Sequence, residues 1–109
     1  MSLRINIADD FSDTPDGRTP ADSDFSGERF RKELLLPMYN EALRTGVKLE
    51  IYFDGCYGCP PSFLEEAFGG MAREEKIRGI LDNIILIAND DETIHTRVEK
   101  YVREAEKLL

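Results

Sequence analysis

The chain has 109 residues, with 22 acidic against 14 basic side chains, a net charge of -8 and a pI near 4.6. That balance argues against nucleic acid and against an anionic membrane as partners, and the length suits one domain that buries its own core. Two cysteines three positions apart cannot staple a fold, and no apolar run reaches the roughly 20 residues of a membrane span, so the expectation is a cytoplasmic protein.

Leu3, Ile5 and Ile7 alternate with Arg4, Asn6 and Ala8, which predicts a first strand running on towards Phe11. Residues 12–25 are rich in Ser, Asp, Thr, Pro and Gly, with turn signals at Asp13-Thr14-Pro15 and Asp16-Gly17. A loop this long inside a small domain is usually functional or mobile. Ser26 is placed to cap a helix with Glu28 in its first turn. Phe30, Leu34, Leu35, Met38, Tyr39, Ala42 and Leu43 form its apolar face, and Gly46 ends it. Pro37 inside this helix predicts a kink, or two short helices meeting near Leu36.

Apolar residues at Val47, Leu49, Ile51 and Phe53 mark a second strand over 47–53 with two unlike faces. The turn at Asp54-Gly55 follows at once, then Cys59-Pro60-Pro61. Ser62 with Glu65 three residues on reads as a capping box for a helix carrying Phe63, Leu64, Ala67, Phe68 and Met71. Gly69-Gly70 within it predicts a close approach by another part of the chain, most simply a strand. Residues 73–76 are charged, and 77–81 suit a further helical turn. The unbroken run Ile84, Ile85, Leu86, Ile87 and Ala88 suits a strand covered on both faces. Beyond Asp91, Ile94, Val98, Tyr101, Val102, Ala105 and Leu108 form a helical stripe. Strand, long loop, helix, strand, helix, strand, helix gives a single α/β domain with a small, largely parallel sheet. The strand-to-helix junction after 47–53 lies at a strand's carboxyl end, where sites usually form.

Three kinds of chemistry can be read at or near that junction. Cys56-Tyr57-Gly58-Cys59 between a strand and a helix is how thiol oxidoreductases present a thiolate, although no downstream proline loop or hairpin completes that fold. Ser62 has no neighbouring base and no nucleophile elbow, so it reads as a helix cap whose hydroxyl is a possible phosphate acceptor. Arg18, Arg29 and Arg31 could clamp an anion beside the Ser62 helix start, or pair with carboxylates such as Asp24 and Glu28. His95 and two cysteines are too few ligands for a structural zinc, and the histidine is expected on the surface. No cofactor is implied.

Ser26-Gly27-Glu28-x-Phe30-Arg31, Leu35-x-Pro37 and, above all, the block from Ser62 to Gly70 (SFLEEAFGG) after a strand ending in Asp54-Gly55 resemble the bacterial STAS-like domains of unknown function, a family similar to anti-sigma factor antagonists. The resemblance implies a non-enzymatic regulatory module. In STAS antagonists a serine at this helix start is phosphorylated by a histidine-kinase-like ATPase, and the modification governs partner release. By position Ser62 would carry that role here, although Cys59-Pro60-Pro61 replaces the usual preceding residues. The expected docking surface comprises Asp54, Gly55, Ser62 and Phe63, with Arg18, Ser26, Glu28 and Arg31 as further binding candidates. The partner would be such an ATPase or an anti-sigma-like regulator. The alternatives are a thiol redox protein using Cys56 and Cys59, or an anion- or nucleotide-binding module.

Overall fold

The computed structural model describes residues 3–109 and contains a three-stranded sheet, β1 (Leu3–Asn6), β2 (Leu49–Tyr52) and β3 (Ile84–Ile87). The strands lie in the order β1-β2-β3 and both pairings are parallel, with Ile51 opposite Ile5 on one side and Leu86 on the other. Four helices accompany them: a single turn α1 (Ile7–Asp10), α2 (residues 27–45), α3 (residues 61–73) and α4 (Thr93–Glu106). The α/β class and the element order follow the sequence pattern.

The first strand does not run on to Phe11. Asn6 accepts a hydrogen bond from the Asp9 amide at 3.2 Å, and Asp10 accepts one from the Asn6 amide at 2.8 Å. Two local side chains thus cap a helical turn where apolar alternation alone reads as strand. In α2, Ser26 caps the Arg29 amide as expected, and Gly46 closes the helix at φ 74°. Pro37 neither breaks α2 nor divides it in two. A wide, π-helical turn over Arg31–Leu35 comes immediately before it, with the Leu36 amide bonded to the Arg31 carbonyl. Widening the turn relieves the clash that a proline ring makes one turn back in a regular helix.

Ile5, Leu49 and Ile51 on one sheet face are fully buried, with α2 packed on β1 and β2, and α4 packed along α3. The opposite face carries Arg4, Glu50, Tyr52 and Ile85; Arg4 lies over the Tyr52 ring and Tyr52 donates to Glu50 at 2.8 Å. Ile85 is 42% exposed, so the run 84–88 is a strand covered on one face, not two. Side chains alternate across a strand, and here only Ile84 of the pair Ile84 and Ile85 turns inward. His95 also departs from expectation. It is half-buried, and its Nε2 lies 2.7 Å from the Leu86 carbonyl, tying the first turn of α4 to β3.

The long loop over 12–25 is tied down along its length. Asp16 bonds the Phe25 carbonyl, and the carbonyls of Gly17 and Arg18 receive the amides of Gly27 and Glu28 at 2.9 Å each, so the loop completes the start of α2. Phe11 and Phe25 meet edge to face at 5.6 Å, and Phe11 continues to Phe30 and Phe63. Aromatic packing of this kind anchors both ends of the loop on the core.

Arg31 is 2% exposed and enters the contact between α2 and α3. Its Nη1 donates to the Glu66 carboxylate and to the Glu66 carbonyl, both at 2.6 Å, and its Nε donates to Glu75 at 3.1 Å. The carbonyl is available because α3 also widens, over Glu65–Gly69, and the Gly70 amide bonds Glu65 instead. Above this pair, Glu65 receives Arg18 and Arg73, each at 2.5 Å. Burial raises the Glu65 carboxyl, but the two arginine hydrogen bonds outweigh it and hold the group below its ordinary value of 4.5. A depressed carboxylate contributes stability that is present above the unfolded pKa and lost as pH falls through the folded one. Urea titrations below pH 4.5 should therefore show wild type losing stability more steeply than Glu65→Gln; equal slopes would contradict this.

Candidate functional site

The loops leaving the carboxyl ends of the three strands converge. Asp54, just past β2, accepts the Asp90 amide at 2.8 Å and the Asn89 side-chain amide at 2.9 Å, which brackets the β2 loop to the β3 loop. Gly55 follows at φ 98°, where a side chain would be strained and would meet the Ala8 methyl at 3.3 Å. The Tyr57 amide then bonds the Asp13 carbonyl at 2.7 Å, joining the loop after β1. From α4, Arg97 reaches back to the Cys59 carbonyl at 3.3 Å and to Asp91 at 2.9 Å. The result is a held platform rather than a free loop, with Tyr57 standing out from it at 85% exposure. Beside Tyr57 a shallow groove of about 350 Å³ is lined by Thr14, Pro15, Asp16, Gly58 and Pro60.

Ser62 lies at the edge of this platform, partly exposed, but it does not cap α3. Pro60 occupies the capping position and Pro61 the first helical one, with the Leu64 amide bonded to the Pro60 carbonyl. A proline lacks the amide that the first helical residue would leave unpaired and already has the required φ, so the proline pair sets the start and puts the serine at the second helical position, two places inside the cap. Glu65 is turned away to Arg18 and Arg73 and cannot close the expected capping box. Phe63 is fully buried, stacked on Phe11 and tilted against Phe30, and belongs to the core.

The other candidates are not gathered at this platform. Ser26 is buried as the α2 cap; Glu28 meets Lys32 at 3.8 Å; Arg29 pairs with Glu33 at 2.8 Å. Arg18 and Arg31 are neutralised by carboxylates of Glu65, Glu66 and Glu75. The arginines therefore form no open anion clamp; they join α2 and the long loop to α3. Gly69-Gly70 has the same origin. A methyl on Gly70 would overlap the Arg31 guanidinium, and one on Gly69 would meet Glu65 and the Tyr101 carbonyl of α4. The close approach comes from a buried arginine and a helix, and a strand has no part in it.

Cys56 and Cys59 are free, the first half-buried and the second 7% exposed. The Cys59 thiol hydrogen-bonds Cys56 and holds it below the ordinary thiol range, against burial and the charges of Asp13 and Asp54. The same bond, with burial added, pushes Cys59 well above that range. Tyr57, Asn89, Asp90, Asp91 and Arg97 complete the platform and were not singled out by sequence reasoning. Asn89-Asp90 carries a visible turn signal, but nothing local shows that Asp54 will bind it.

Among the described residues, no helix is long and apolar enough to cross a membrane. Comparison with curated proteins and with solved structures gives no match. Residues 26–94 match the family described as STAS-like domain of unknown function (DUF4325), a span that includes α2, β2, α3 and β3 with the Arg31 and Glu66 contact between them. The chain belongs to the family of STAS-like domains of unknown function.

Proposed function

We propose that this chain is a non-enzymatic regulatory module that binds a protein partner through the platform over residues 54–62. The observation that carries the reading is Tyr57, an 85%-exposed aromatic ring on a loop braced from three sides. Large aromatic side chains that are already positioned lose little entropy on binding and commonly dominate interface energies. Ser62 sits at the rim, partly exposed, at the second position of α3. Its place corresponds to the modified serine of STAS antagonists, and a phosphate there would put negative charge onto the surface a partner must meet. On this reading the partner is a histidine-kinase-like ATPase or an anti-sigma-like regulator, in a bacterial cytoplasm.

The test pairs the purified chain with the ATPases and regulators of that type from the same organism. Binding by titration calorimetry is expected for at least one, weakened on the order of tenfold or more by Tyr57→Ala, with phosphate appearing on Ser62 in the presence of ATP. Binding that is indifferent to both Tyr57→Ala and Ser62→Asp would remove the platform from the interface. Failure of every such protein to bind would remove the partner class.

A further inference from the structure

Cys56 and Cys59 share one bend and line the same cavity of about 40 Å³, together with Asp54, Asp91 and Ile94. The bend is braced at each end, by the Tyr57 amide on Asp13 and by Arg97 on the Cys59 carbonyl. The two residues stand three positions apart in this bend and border one small cavity, with the Cys56 Sγ 3.8 Å from the Ser12 carbonyl, so their side chains are kept near one another instead of meeting by diffusion, which favours intramolecular over intermolecular chemistry. They differ in access, because Cys59 is packed in the core while Cys56 is reachable from solvent. An accessible thiol beside a shielded one is the arrangement that an attacking and a resolving cysteine require.

We propose that Cys56 and Cys59 form a reversible dithiol–disulfide pair that exchanges with small disulfides, Cys56 attacking and Cys59 resolving. The Cys56 thiolate attacks one sulfur of a disulfide RSSR, the S–S bond breaks, and RS⁻ leaves and takes up the proton that Cys56 lost. Cys59 then gives up its proton and attacks the Cys56 Sγ; the second RS⁻ leaves with that proton as RSH. The protein loses two electrons and two protons, and RSSR becomes two RSH. The hydrogen bond from Cys59 favours the first step, since it stabilises the thiolate of Cys56. Asp13, Asp54 and Asp91 face the pair, with Arg97 as a cation beside Cys59. The acidic surroundings select for a neutral or cationic disulfide over an anionic one. This chemistry is independent of the protein-docking reading.

The reduced chain is mixed with cystamine or with glutathione disulfide and followed by intact mass and thiol titration. Wild type is expected to lose both thiols together, ending two hydrogens lighter with no adduct retained. Cys59→Ser should keep one stable adduct on Cys56, and Cys56→Ser should react at Cys59 at least roughly tenfold more slowly. Cystamine should outpace glutathione disulfide on the order of tenfold at low salt, with the gap closing at high salt. Persistence of both thiols in wild type, a mixed disulfide that never resolves, or equal rates for the two single variants would overturn the proposal. Equal rates for the two disulfides would overturn the charge selectivity. The wild-type measurement decides the main point even if a variant fails to fold.

Discussion

Replacing Arg31 by alanine should lower the unfolding free energy by about 3–5 kcal/mol, the range for breaking a buried ion pair by removing one partner. The loss exceeds that of a surface pair because the guanidinium is buried and serves two carboxylates and a carbonyl at once. Glu66, itself buried, would lose its 2.6 Å donor and keep only the longer contacts to Arg73 at 3.4 Å and Arg18 at 3.8 Å, and the Glu66 carbonyl would lose the Nη1 it accepts from. By contrast Arg29→Ala removes an exposed pair with Glu33 and should change stability by about 1 kcal/mol or less. Urea unfolding of the two variants beside wild type checks the contrast. A loss below about 1 kcal/mol for Arg31→Ala would show that the pair is no stronger than a surface one. A double change of Arg31 and Glu66 to apolar residues of similar size should recover part of the loss, since the buried carboxylate goes together with the guanidinium and only the more exposed Glu75 loses a partner. Recovery should be incomplete because the carbonyl still lacks that donor.

The second large effect is expected at Gly27. In an ordinary helix a change from glycine to alanine stabilises by about 0.4–1 kcal/mol through the unfolded chain. Here the added methyl would lie 2.6 Å from the Phe63 carbonyl oxygen, 2.9 Å from the Glu66 Cβ and 3.1 Å from the Ala67 amide. These are atoms of the α3 backbone and of a side chain at its root, so none can swing aside. The first turn of α2 would have to back away from α3, loosening the Phe30 and Phe63 contact and the Arg31 site that follows. Gly27→Ala should therefore destabilise by about 1–3 kcal/mol or more, reversing the usual sign. A measured stabilisation would mean that the two helices do not approach as closely as described.

These two residues also clarify what the family resemblance carries. Ser26, Gly27, Phe30, Arg31, Glu66 and Gly70 are all buried, and they hold α2 against α3. The signature is thus largely a description of a helix–helix contact, whereas the exposed Tyr57 and the cysteine pair lie in the loop that the most specific block does not include. Family membership consequently says much about the scaffold and little about the surface on it.

Much of the scaffold was legible from local pattern. Alternation marked β2, the helical stripe marked α4, and the Ser26 cap and Gly46 end marked α2, because each depends on neighbours within a turn or two along the chain. The turn at the end of β2 was legible for the same reason, since Asp54-Gly55 after a strand must turn where the strand ends. What only the tertiary structure decided was pairing over long separations. Arg31 meets Glu66 across 35 residues, Asp54 meets Asp90 across 36, and Tyr57 meets Asp13. An arginine in an acidic chain looks the same in sequence whether it faces a ligand, solvent or a buried carboxylate. Ile85 likewise reads as core until the helices are seen to gather on one face of the sheet. Side-chain type and spacing determine which backbone a segment prefers; which groups lose their water, and against whom, is set by the packing of segments distant in the chain.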